Sequence, residues 1–118
     1  MVNPGGIKKL PAAFYRNANG VEPVREWLKG LPVADRHAIG RDVAVAEFGW
    51  PVGMPVCRSL GNGLWEIRST LPGGRIARIL FCVADGRMVL LHGFHKKTQK
   101  TPEADIKLAH KRMKEVAR

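Results

Sequence analysis

Cysteine, tyrosine and acidic side chains are all scarce in this chain, and each scarcity excludes something. Two cysteines, Cys57 and Cys82, stand in apolar segments without CxxC spacing. A disulfide framework or a thiolate metal site is therefore not expected, and two reduced, buried thiols are. No apolar run reaches the length that spans a bilayer. Met1–Gly6 lacks the basic start and hydrophobic stretch of a secretory leader. A cytoplasmic location without a membrane partner is the expectation. No internal repeat, P-loop, GxGxxG pattern, Ser-His-Asp signature or carboxylate pair is present. His92 and His95 are three apart in a strand-like segment, so they should point to opposite faces, which argues against a two-histidine metal site. No metal or cofactor is expected.

What the chain does have is positive charge. Twenty Lys and Arg face ten Asp and Glu, a formal +10 on 118 residues. Such a balance says little about fold but points to anionic partners: nucleic acid, the ribosome, an acidic protein or a charged membrane surface. With 45% hydrophobic residues the chain can bury a core, and its length suits one domain spanning 1–118.

Periodicity divides the chain into a helical and a β-rich part. Residues Ile7 to Tyr15 read as a first strand, which Pro11 confines to a sheet edge or to an irregular start. Val24, Trp27, Leu28 and Leu31 repeat as one face of a short helix, stopped by Gly30 and Pro32. A second helix is predicted over Val33–Phe48, with Ile39, Val43 and Ala46 on one stripe, giving an antiparallel helical hairpin. The period then changes to two. Leu64–Ser69, Ile76–Val83 and Met88–Lys96 read as a three-strand antiparallel meander, with Pro72-Gly73-Gly74 and Asp85-Gly86 as its turns. Thr101-Pro102-Glu103 resembles a helix start, followed by a stripe of Ile106, Ala109, Met113 and Val116. The expected fold is α+β: a small antiparallel sheet (the meander plus an N-terminal edge strand) packed with an N-terminal helical hairpin and a C-terminal helix, all helices on one side.

Ionisable residues cluster on the meander. Arg68, Arg78, His95 and Lys97 occupy strands or strand ends, with Lys96 and Lys100 alongside. Singly, each is most simply a solvated surface cation. Arg78 differs because it interrupts the apolar run Ile76–Phe81, where a charge is rare unless it is paired or functional. If Asp85-Gly86 closes a two-residue hairpin, Arg78 opposes Gly93 and shares a face with His95 and Lys97, with open space above Gly93. Arg68 joins that face only if the Leu71–Arg75 connection has an odd number of loop residues. His95 is the better proton-transfer candidate, and His92 is expected to be packed or satisfied. Glu66 is expected to pair with a basic neighbour. Trp27, Trp50 and Trp65 read as core, His37 and His110 as surface, and Phe94 as either core or base platform.

The segments Leu64-Trp65-Glu66-Ile67-Arg68, Ala77-Arg78-Ile79-Leu80-Phe81 and Leu91-His92-Gly93-Phe94-His95-Lys96-Lys97-Thr98-Gln99-Lys100-Thr101-Pro102 resemble the phage-derived, HigB-like branch of the RelE/ParE toxin superfamily. The similarity runs from about Ala12 to Met113. It implies the fold just described and the toxin of a type II toxin–antitoxin pair, a metal-independent endoribonuclease acting on mRNA, usually at the ribosome. Its implied partner is a cognate antitoxin, typically a helix-turn-helix protein. Arg78 then corresponds to the arginine contacting the scissile phosphate, Lys97 and Lys96 to the basic close of the last strand, and Arg68 to a basic position on the meander's first strand. The expected scheme has the RNA 2′-hydroxyl attack phosphorus, Arg78 and Lys97 stabilise the charge, His95 transfer the proton, and Arg68, Lys96 and Lys100 hold the backbone. RelE carries a catalytic tyrosine near its C-terminus, whereas Tyr15 is the only tyrosine here. That departure leaves three readings open: His95 substitutes, catalysis rests on phosphate stabilisation, or the chain does not cut RNA. ParE relatives keep the fold but inhibit gyrase, so a protein-binding inhibitor is one alternative and a non-catalytic nucleic-acid-binding domain another.

Overall fold

The computed structural model describes residues 7–96 and 100–116. The element order is β1 (Ala12–Phe14), α1 (Pro23–Lys29), α2 (Val33–Gly49), β2 (Cys57–Gly61), β3 (Leu64–Thr70), β4 (Ile76–Ala84), β5 (Arg87–His95) and α3 (Glu103–Val116). The strands form one mixed sheet in the order β1-β5-β4-β3-β2. β1 starts directly after Pro11, lies at an edge and runs parallel to β5; the other pairings are antiparallel. The α+β class, the helical hairpin, the meander and the terminal helix are as expected.

Three features differ. First, β2 is an additional edge strand, joined to β3 through Asn62-Gly63. Gly61, Asn62 and Gly63 all adopt positive φ there, the conformation that favours Asn and Gly in tight hairpins. Second, the helices cover both faces. The α1–α2 pair packs on one face over Ile67, Ile79, Phe81 and Leu90. On the opposite face α3 packs over Leu64, Leu80, Cys82 and Leu91, presenting the Ile106, Ala109 and Met113 stripe. One-sided packing is excluded because β4 is apolar on both its faces, and each face must be kept from water.

The third difference is register. Asp85 and Gly86 take positive φ and Ala84 opposes Arg87, as the turn dipeptide requires. Farther along, Phe81 pairs with Leu90 but Leu80 pairs with His92, so Leu91 is an extra residue, a β-bulge. Beyond it Arg78 faces Phe94, not Gly93. His95 opposes Ala77 and therefore lies on the α1–α2 face, opposite to Arg78. The expected gap above Gly93 is also absent. A Cβ at Gly93 would sit 2.5 Å from the Trp27 ring, so the glycine is where the tryptophan closes on the sheet. Both cysteines are free and buried, and burial pushes the Cys57 thiol up to about 11, so it stays protonated.

Candidate nucleic-acid interface

The five residues between Thr70 and Ile76 make an odd-length connection, so Arg68 pairs directly opposite Arg78 on the α3 side of the sheet. Strand alternation adds Glu66, two residues before Arg68, and Lys96, two residues after Phe94. Lys96 is held there by its backbone N–H, which donates to the Ile76 carbonyl at 2.8 Å. α3 covers the sheet only beyond this point, since its helix begins at Glu103. The end of the sheet face is thus left to charged side chains.

At the base of the group lies a buried pair. Arg78 is 4% exposed and its Nη1 donates to Glu66 Oε2 at 2.9 Å. The same Nη1 donates to the Thr101 hydroxyl oxygen at 2.7 Å, and that hydroxyl donates to Glu66 in turn. Thr101 is thereby engaged across the sheet by its hydroxyl, and this locks the chain entering α3 onto β3 and β4. Arg58, on β2, approaches the other oxygen of Glu66 at 3.3 Å while remaining 41% exposed. The expected pairing of Glu66 with a basic neighbour is therefore found twice over.

Charge around Glu66 is far from balanced. Arg58, Arg68, Arg78 and Lys96 surround this one carboxylate. Loss of hydration lowers the pKa of Lys96 below its ordinary value, and the positive charges of Arg78, Arg68 and Arg58 lower it further against the opposing pull of Glu66. Arg68 is exposed and its side chain has no hydrogen-bond or ion-pair partner among the described residues. A pocket of about 40 Å³ opens between Arg58, Glu66, Arg68 and Arg78, roofed by Met54 and Pro55. Concentrated positive charge that the fold does not neutralise attracts anions.

Of the residues singled out from sequence, the fold brings together Arg68, Arg78 and Lys96. Lys100 is exposed and lines a neighbouring depression with Arg58 and Thr101. His95 is placed elsewhere: its ring meets Trp27 edge-on, with centroids 5.6 Å apart. Lys97 lies outside the described residues. His92 is satisfied, as expected, by Asp105 on α3 at 2.6 Å, and it stacks with Phe94. Arg58 and Thr101 are members of the group that sequence reasoning did not single out. The signal for Arg58 was Asn62-Gly63, which marks a hairpin and places Cys57–Gly61 as its first strand.

Among the described residues no group of His, Cys, Asp and Glu is arranged to hold a metal ion, and no helix is long and apolar enough to cross a membrane. No curated protein matches the chain. A family model does, that of phage derived protein Gp49-like (DUF891), over residues 26–114. The matched stretch includes every residue of the charged group, from Arg58 to Thr101. The chain belongs to this Gp49-like, phage-derived family.

Proposed function

We propose that the chain is the toxin of a type II toxin–antitoxin pair, of the HigB-like branch of the RelE superfamily, and that it cuts mRNA without a metal ion. The observation that carries this reading is the uncompensated cationic group around Glu66, set on an open end of the sheet. A single carboxylate among four cations fits a reaction on a phosphodiester, in which negative charge grows on the non-bridging oxygens. Membership of the Gp49-like family agrees with a toxin.

In the proposed scheme the RNA backbone lies across Arg68, Arg58 and Lys96, held by charge-assisted hydrogen bonds. Arg78 is fixed below them by Glu66 and Thr101. The 2′-oxygen attacks the adjacent phosphorus, the bond to the 5′-oxygen breaks, and the departing 5′-oxygen takes a proton from water, leaving a 2′,3′-cyclic phosphate and a 5′-hydroxyl. Glu66 is the group here that can accept the 2′-hydroxyl proton. Its long contact to the half-exposed Arg58 frees one oxygen once Arg58 turns to the phosphate. His95, on the far face, is replaced in that role. Lys97, the next residue in sequence after Lys96, is kept in the proposal as a further cation for the phosphodiester. The substrate's own hydroxyl is the nucleophile, so DNA is not cut.

The antitoxin in this proposal is a helix-turn-helix protein that neutralises the toxin by covering the basic group, and the ribosome presents the mRNA. The test is cleavage of a translated mRNA in a cell-free extract by the purified chain, with the chemistry of the fragment ends identified. New fragments ending in a 2′,3′-cyclic phosphate support the scheme. Intact mRNA, or fragments ending in a 3′-hydroxyl and a 5′-phosphate, overturns it.

A further inference from the structure

Beside the charged group lies a second depression, of about 400 Å³, between α2 and the end of β3. It shares Pro55, Val56 and Arg68 with the small pocket over Glu66, so the two adjoin. Its walls are apolar at Ala38, Pro55 and Val56 and polar at Arg41, Asp42, Arg68 and Thr70. This volume falls within the range of small-ligand sites, roughly 300–1,000 Å³, and an apolar lining with a few convergent polar groups is their usual composition.

The polar groups are unengaged. Arg41, Asp42, Arg68 and Thr70 make no side-chain hydrogen bond or ion pair among the described residues. Asp42 is the informative one. It is half-buried on α2 beside Arg41, yet no cation takes it, in a chain with twice as many basic as acidic residues. Elsewhere on this fold the buried carboxylates Asp35, Glu47 and Glu66 are all paired. A carboxylate held unpaired next to a phosphate-binding group repels a phosphate and suits a hydrogen-bond donor.

We infer that this depression receives the nucleobase next to the cleaved phosphate and that Asp42 with Arg41 selects guanine. The inference rests on the ribonuclease reading above. An ionised carboxylate only accepts hydrogen bonds and a guanidinium only donates them. The matching ligand needs two adjacent donors on one edge and two adjacent acceptors on another. Guanine has both: N1–H and the N2 amino group face Asp42, while O6 and N7 face the Arg41 fork. Adenine, cytosine and uracil each offer a carboxylate a single donor group. Ala38, Pro55 and Val56 enclose the faces of the ring, and Arg68, shared by both pockets, holds the phosphate that links this nucleotide to the cut.

The test is a reporter mRNA randomised over a short window and translated in a cell-free extract with the purified chain, with every cut position sequenced. The wild type is expected to enrich guanine at one fixed position beside the cut, by roughly fivefold or more over each other base. Asp42→Asn, which keeps size but presents an amide, should lower cutting at guanine sites to the level of the other bases. Arg41→Ala should erode the same preference. Cuts without any guanine enrichment, or enrichment unchanged in both variants, overturn the base pocket and leave the ribonuclease reading standing. An mRNA that the wild type never cuts overturns both.

Discussion

Asp35 and Glu66 are both nearly inaccessible carboxylates paired with arginine, and they are built for different ends. Asp35, on α2, takes both terminal nitrogens of Arg75 at 2.8 Å each, and Arg75 also donates to the Pro72 carbonyl. One acid meets one base in a bidentate fork, and the first turn of α2 is tied to the β3–β4 connection. Glu66 has Arg78 and Thr101 on one oxygen, Arg58 at longer range on the other, and Arg68 and Lys96 close by. At the first pair charge is used up in holding the fold together. At the second, positive charge accumulates beyond what the carboxylate can neutralise, and the surplus faces solvent. An arginine count does not separate the two; the number of cations per carboxylate does.

Breaking the Glu66 pair should give the largest loss of stability. Arg78→Ala leaves Glu66 buried with the Thr101 hydroxyl and a long contact to Arg58 in place of its buried cation, and removing one partner of a buried pair costs about 3–5 kcal/mol. Urea unfolding of that variant against wild type checks it; a cost below about 1 kcal/mol would mean the pair is not desolvated. Toxicity lost in Arg78→Ala is therefore ambiguous between chemistry and folding. Arg68→Ala is the cleaner probe. It should change stability by no more than about 0.5 kcal/mol, yet lower cleavage by roughly 10²–10³-fold if Arg68 stabilises the developing charge. Equal activity of the two proteins in the translated-mRNA assay would remove Arg68 from the site.

On the other face Gly93→Ala must push the Trp27 ring aside. Overpacking of this kind costs about 1–3 kcal/mol, and Trp27→Leu in the same chain should recover part of it, read as the shift in melting temperature. The smallest effect belongs to Asp35. Arg75 hydrogen-bonded to it, aided by the charges of Arg75 and His95 and opposed by burial, holds the Asp35 pKa below the ordinary carboxylate value. Its contribution to stability is therefore present above the ordinary range and lost as pH falls through the lowered value. Melting curves between pH 7 and pH 3 should drop less steeply for Asp35→Asn than for wild type. Parallel curves would show that the pair is not linked to folding.

Much of the fold was legible because period and turn chemistry agreed. Asp85-Gly86 marked its hairpin, and Ile106, Ala109 and Met113 marked the buried stripe of α3. The site was legible only in part. Arg78 stood out as a charge in an apolar run, and Arg68 followed once the connection proved odd. His95 was misplaced because alternation was counted straight through Leu91. A bulge inside a continuous apolar strand leaves no turn residue to announce it, and one extra residue turns every later side chain to the other face. β2 went unassigned because it follows Pro51, Gly53 and Pro55, a stretch with no strand period, although Asn62-Gly63 carried the hairpin signal. The exchange between Glu66, Arg78 and Thr101 joins residues up to 35 apart, a contact no local pattern contains.

The most direct test of the central claim is induced expression of wild type and Arg68→Ala in bacteria, reading growth and mapping the 5′ ends of cellular mRNA. Growth arrest with new mRNA 5′ ends, both lost in a folded Arg68→Ala protein, is the predicted result. Arrest without new 5′ ends, or arrest undiminished by Arg68→Ala, would contradict an RNA-cutting site at this group and favour a toxin that acts by binding a protein.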